Sequence, residues 1–175
     1  MGKADERRNA VLDKLADYVL AEGLPASSLR PLAQAADTSD RMLLYYFKDK
    51  AELIAATLER VAARLTALLN EHATEEPLPY DELAPRLREL LFVEEMQPYM
   101  RVWLEVAALA SRGDAFYQAV GARLGRGFLA WGAAQLKCKS PEKRDRDAAR
   151  LLLMIEGTLL LKSVGLDDVC ETAFR

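Results

Sequence analysis

The sequence predicts an all-α protein, and three observations carry that expectation. Apolar residues recur three and four positions apart through most of the chain, as one face of a helix requires. Nowhere do Val, Ile and Thr alternate with polar residues as a half-buried strand would need. The breaks in the helical pattern fall at Gly, Pro and short polar runs. With 51% of its 175 residues apolar, the chain can bury a real core.

The first stripe, Val11, Leu12, Leu15, Val19 and Leu20, stops at Gly23 and Pro25 and predicts helix one. Ser27 and Ser28 offer N-caps for a short second helix carrying Leu29, Leu32, Ala33 and Ala36. Pro31 is tolerable there because first-turn amides lack intrahelical partners. Thr38 or Ser39 can cap a third short helix reaching about Tyr46. Asp49 can cap a long fourth, striped by Leu53, Ile54, Leu58, Val61, Leu65 and Leu68. The acidic, proline-bearing stretch 75–82 reads as a loop. Beyond it the pattern predicts four helices, over residues 81–92, 97–112, 115–137 and 142–164.

Composition narrows the function classes. The net charge of −3 argues against a polyanion binder that is basic throughout, but residues 1–50 hold eight Lys or Arg against eight Asp or Glu, so a DNA-binding face would have to be local. Cys138 and Cys170 have neither metal-ligand spacing nor a second pair, so neither disulfide nor metal is expected. The N-terminus lacks a signal-like apolar core, and Glu6 stands where a myristoylation signal wants Ser or Thr; a cytoplasmic location is expected. The apolar run 151–161 is broken by Glu156 and Gly157 and falls short of the ~20 residues that span a bilayer, so no membrane segment is expected. An enzyme is not expected either. His72 is the single histidine, the run Gly121 to Gly127 lacks the lysine-serine end of a phosphate loop, and the pairs Glu94-Glu95 and Asp167-Asp168 diverge by about 100° if helical.

Two short helices, one preceded by a helix and the other followed by a long one, have helix-turn-helix spacing. Met42, Leu43 and Phe47 can face the core of such a unit, leaving Asp40, Arg41, Tyr45 and Tyr46 to point elsewhere. Arg41 can reach a guanine edge or a phosphate, the tyrosine hydroxyls can bond phosphate oxygens, and Lys50 falls in the first turn of helix four, where free amides also attract phosphate. The alternative is that the tyrosines only seal the small head against helix four.

Through Ser28-Leu29-Arg30-Pro31-Leu32-Ala33-Gln34-Ala35-Ala36, Ser39, Leu43, Tyr45-Tyr46-Phe47, Lys50 and Leu53, the chain resembles the tetracycline-repressor-like (TetR-type) bacterial transcription regulators. The resemblance implies a three-helix DNA-binding head, a long linking helix four, a helical effector-binding and dimerisation body, and repression relieved by a small effector. It places the head at residues 1–50 and the body at 51–175, with helix four over about 50–73 linking them. DNA contacts are then expected from Ser28, Arg30, Thr38, Ser39, Arg41, Met42, Tyr45, Tyr46, Lys48 and Lys50. Three departures stand out: Asp37 replaces the usual turn glycine, Asp40-Arg41 replaces a basic-small pair, and Leu44 occupies the place of a first aromatic. Asp40 would repel phosphate unless it reads a cytosine amine or pairs with Arg41. A helical interaction protein that kept the head but lost DNA binding is therefore the competing reading.

In the body, Phe92, Met96, Tyr99, Met100 and Trp103 crowd one helix, and Phe128, Trp131 and Met154 can join them around a small, largely apolar effector. Ordinary core is the alternative for each. Arg101, Glu105 and Glu156 are the candidate polar determinants, with a solvated surface charge as the alternative for each. Gly121, Leu124, Gly125 and Phe128 on one late helix and Leu152, Leu159 and Leu160 on the last are the expected homodimer interface, with burial inside one subunit as the alternative. No cofactor is expected.

Overall fold

The computed structural model describes residues 2–24 and 29–173, and among these it contains nine α-helices and no strand. They are α1 (Lys3–Glu22), α2 (Leu29–Ala35), α3 (Asp40–Tyr46), α4 (Lys50–Glu71), α5 (Tyr80–Leu90), α6 (Gln97–Ser111), α7 (Ala115–Ala134), α8 (Pro141–Ser163) and α9 (Asp167–Ala173), with a 3-10 turn at Glu94–Met96 before α6. Ser27, Ser28 and Pro25 lie outside the described residues.

The chain divides into two compact units. The first contains residues up to Ala67 together with Arg101–Leu124. Within it α1 buries Val11, Leu12, Leu15, Ala16 and Val19, the i, i+1, i+4 pattern of an amphipathic helix. Helix α1 packs on α2, and α2 on α3. Three cross-helix ion pairs lock α1 to α4: Arg60 to Asp13 (3.1 Å), Arg64 to Asp13 (3.0 Å) and Arg64 to Asp17 (2.6 Å). The α4 stripe is as the sequence indicates until its end, where Leu69 is buried and Leu68 only half-buried. Four residues separate Leu65 from Leu69, so the 3.6-residue period carries the stripe to Leu69.

The second unit contains Leu68–Met100 and the residues from Gly125 onward. Its core is Leu83, Ala84, Leu87, Leu136, Ala148 and Leu151, flanked by Leu78, Tyr80, Leu90, Leu129, Trp131, Met154 and Ile155. The segment before α5 is fastened to the end of α7: Leu78 donates its amide to the Gln135 carbonyl (2.9 Å) and accepts from Lys137 (2.8 Å). Helix α5 begins at Tyr80, inside the stretch expected to be a loop. Asp81 and Glu82 occupy its first turn, where the positive end of a helix favours carboxylates. Helix α9 was not expected; it has seven residues and one buried side chain, Cys170, too few for a periodic stripe.

Asp147 is only 2% exposed. Its carboxylate accepts hydrogen bonds from Lys143, from Arg150 (3.3 Å) and from the Cys138 thiol (3.7 Å), while the Arg150 guanidinium stacks over the Tyr80 ring (4.4 Å). The Lys143 hydrogen bond outweighs the opposing effect of burial and holds the Asp147 carboxyl below the usual carboxylate range. A lowered folded-state pKa contributes stability above the unfolded value of about 3.9, and the contribution is lost as pH falls through the lower folded value. The parent should therefore exceed Asp147→Asn in stability at pH 7, with the gap narrowing below pH ~4, in urea midpoints measured across pH. A gap that stays constant with pH would remove the ion pair as its cause.

Candidate nucleic-acid interface

Helix α3 is built to present one face. Ser39, in extended conformation, caps it by accepting the Met42 amide on its hydroxyl (3.3 Å). The turn before it passes through Asp37 at φ +50°, a left-handed conformation that aspartate adopts more readily than most residues. Lys14 of α1 bonds the Asp37 carboxylate (2.8 Å) and so ties that turn to α1. One side of α3 is anchored inside: Leu43 is fully buried, and Phe47, just past the helix end, is 1% exposed. The Arg8 guanidinium covers the Phe47 ring at 4.6 Å.

The opposite side faces out. Arg41, Met42, Leu44 and Tyr45 are exposed, with Tyr45 at 72%, whereas Tyr46 is half-buried and meets Tyr45 edge-on at 5.4 Å. Met42 is therefore on the outer face and not among the core-facing residues. Arg30, Ser39 and Lys48 are exposed, and Thr38 and Lys50 are half-buried. Ser28 lies outside the described residues. Two of the nearby carboxylates are committed: Asp37 to Lys14, and Asp49 to the Glu52 amide (2.8 Å) as the cap of α4. Glu52 in turn accepts the Lys48 amide (2.9 Å) and approaches Arg8 (3.7 Å). Asp40 remains exposed and forms no ion pair with Arg41.

The second unit holds two cavities of ligand size. One, of about 370 Å³, is walled by Leu69, Leu78, Leu83, Leu87, Leu90, Val93 and Trp131, with His72, Arg86, Glu89 and Gln135 as polar groups. The Trp131 indole N–H is used by Asn70 (2.7 Å). The other, of about 430 Å³, is lined by Phe92, Thr158 and Cys170 among the charged side chains Arg88, Glu89, Lys162, Asp167 and Glu171. Of the eight residues expected around an effector, Trp131 lines the first cavity and Phe92 the second. Met96 and Met100 are buried, Tyr99, Phe128 and Met154 are half-buried outside both linings, and Trp103 belongs to the first unit. The apolar cavity is walled chiefly by leucines of α5 and the end of α4. Arg101 bonds the Leu20 carbonyl of α1, and Glu105 accepts the Leu24 amide just past the end of α1.

Of the expected dimer residues, Gly121, Leu124, Gly125, Phe128 and Leu152 are half-buried, Leu159 is buried within the subunit, and Leu160 is exposed. Two further large apolar residues are more exposed than Leu160: Leu153 on α8 (73%) and Val164, its C-cap (63%). With exposed Gly157 and Leu160 they fall at spacings of four, three and four, a heptad seam on the outer face of α8.

No protein-family model matches the chain. The HTH-type transcriptional regulator PksA of Bacillus subtilis (strain 168) is 25% identical over 161 residues, covering 89% of this chain and 78% of PksA. Among solved structures, the transcriptional regulator SCO7518 of Streptomyces coelicolor A3(2) is 24% identical with a TM-score of 0.67, covering 89% of this chain and 86% of that one. The TetR transcriptional regulator sav143 of Streptomyces avermitilis is 19% identical with a TM-score of 0.64, covering 93% and 89%. No helix among the described residues is long and apolar enough to cross a membrane.

Proposed function

This chain has the fold of the TetR-type transcriptional regulators, and from that premise we propose that it is a homodimeric, ligand-responsive DNA-binding regulator, a repressor released from its operator by a small, largely apolar effector. The observation that carries the reading is α3: a capped helix with Leu43 buried on one side and Arg41, Met42 and Tyr45 exposed on the other. Such a helix fits the major groove, where Arg41 meets a guanine edge and the tyrosine hydroxyls meet phosphates. The relatives are named as regulators rather than enzymes, which agrees with the lack of a catalytic constellation in the sequence.

The head is residues 1–50, with Arg30, Thr38, Ser39, Arg41, Met42, Tyr45, Tyr46, Lys48 and Lys50, and by motif position Ser28, as its contact set. The apolar cavity beside Trp131 is the effector site; its volume lies within the range of small-molecule sites. The outer face of α8 joins two copies, whose recognition helices then stand about 34–36 Å apart, one turn of B-DNA. Effector binding shifts helix four and changes that separation, so the two sites are coupled through a two-state geometry.

The test begins with selection of a duplex from a random-sequence pool by the full-length protein. Anisotropy titrations on that duplex and a scrambled one follow, across a salt series and with candidate effectors. Selective binding that weakens with salt supports the regulator, and lower affinity with saturating effector supports release. Equal, weak binding to both duplexes would favour the competing interaction-protein reading, which the exposed, unpaired Asp40 beside Arg41 suggests. On the selected duplex Arg41→Ala is expected to lose about 1–3 kcal/mol of binding free energy. Unchanged affinity would return Arg41 to the solvated surface.

A further inference from the structure

Helix α1 ends against two side chains of α6 that the DNA-binding reading leaves without a role. Its last four carbonyls lack partners within the helix. The Val19 carbonyl is taken by the Gly23 amide (2.9 Å), and the next, that of Leu20, accepts from Arg101 Nη2 (2.9 Å). Four residues further along α6, Glu105 Oε2 accepts the Leu24 amide (2.5 Å). Gly23 between them takes φ +84°, and a Cβ there would stand 2.5 Å from Glu105 Oε1. The last turn of α1 and the first residues after it are thus held at two points one helical turn apart.

Elementary electrostatics favours Arg101 in this position, because a cation suits the negative end of α1. It disfavours Glu105, a carboxylate at the same end. Glu105 offsets that effect by accepting the Leu24 amide, a directional bond that suits the pair to fixing where the chain leaves α1. What it fixes lies along α1. Lys14 bonds Asp37 in the turn before α3, and Arg8 covers Phe47 at the end of α3. Both contacts set α3 relative to α1, and α1 is in turn pinned at its far end by α6.

We propose that Arg101 and Glu105 are positioning residues for the DNA-binding face, holding α1 so that α2 and α3 stand in a binding-competent arrangement. The inference rests on the reading of α3 as the DNA-contacting helix. The experiment combines amide hydrogen exchange of the full-length protein with anisotropy on the selected and scrambled duplexes.

Glu105→Ala is expected to speed exchange at Leu24 and through α2 and α3 by about tenfold while leaving α5 and α8 unchanged. The same variant should bind the selected duplex about tenfold more weakly but the scrambled duplex within about twofold of the parent, since no phosphate-contacting cation is altered. Glu105→Gln, which still offers an oxygen to the Leu24 amide, should restore both readings. If Glu105→Ala does not fold, Arg101→Ala, which removes only the bond to Leu20, should give the same pattern.

Unchanged exchange in α2 and α3, or faster exchange spread equally over α5 and α8, would overturn the proposal. So would parent-like affinity for the selected duplex. Should no duplex be enriched while exchange behaves as expected, the DNA reading fails and the pinning of the helices stands.

Discussion

Phe47→Ala is expected to destabilise the protein by about 3–5 kcal/mol, as buried Phe truncations do. Phe47 is 1% exposed, its amide closes α3 on the Leu43 carbonyl (2.9 Å), and its ring lies under Arg8, which also approaches Glu52 at the start of α4. Removing the ring leaves a cavity and releases Arg8 from one of its two contacts, loosening the end of α3 and the start of α4 together. Against a total stability of about 5–15 kcal/mol, such a loss is a large fraction. Tyr45→Ala is the matched control: at 72% exposure it should change stability by less than about 0.5 kcal/mol and act on DNA affinity instead. Urea unfolding of both variants checks the pair. Equal destabilisation would mean that Phe47 is not the anchor of α3.

The contrast between those two aromatics shows what the sequence could reveal. Leu43 and Phe47 are four apart, so helical geometry alone puts them on one side and Tyr45 on the other. Caps were legible for the same local reason. Ser39 and Asp49 stand immediately before α3 and α4, and each accepts the amide three residues on. The left-handed Asp37 agrees with the resemblance, which implies a glycine in that turn, and aspartate tolerates that conformation better than most residues.

Non-local contacts leave no such local signal. The tether of Leu78 to the end of α7 joins segments more than 50 residues apart through backbone groups that every residue carries. Cavity walls are similarly silent. Leu83, Leu87 and Leu90 lie at core spacing whether they enclose a ligand or one another, so spacing does not mark them as cavity walls. Arg101 and Glu105 are legible as polar candidates on one helix, but nothing in the sequence says that they bond the backbone at the end of α1 and just past it.

The outer face of α8 leads to the other large expected effect. Leu153 and Leu160 are seven apart on one helix and exposed in the single chain, so replacing both by glutamate should leave the subunit folded. In a two-fold dimer each substitution occurs twice. Four apolar side chains are then lost from the interface, at about 1.5 kcal/mol or more apiece, and four carboxylates must be desolvated in their place. The expected loss is at least about 6 kcal/mol, some four powers of ten in the dimer dissociation constant. Sedimentation velocity at micromolar concentration should show the parent as a dimer and Leu153→Glu/Leu160→Glu as a monomer with unchanged helical circular dichroism. Because a monomer engages one half-site, the variant should also lose most of its affinity for a palindromic duplex while keeping weak binding to a single half-site. A variant that remains dimeric would move the interface away from α8. A variant that is monomeric yet binds the full duplex as tightly as the parent would instead separate dimerisation from DNA recognition, and the half-site geometry proposed above would have to be abandoned.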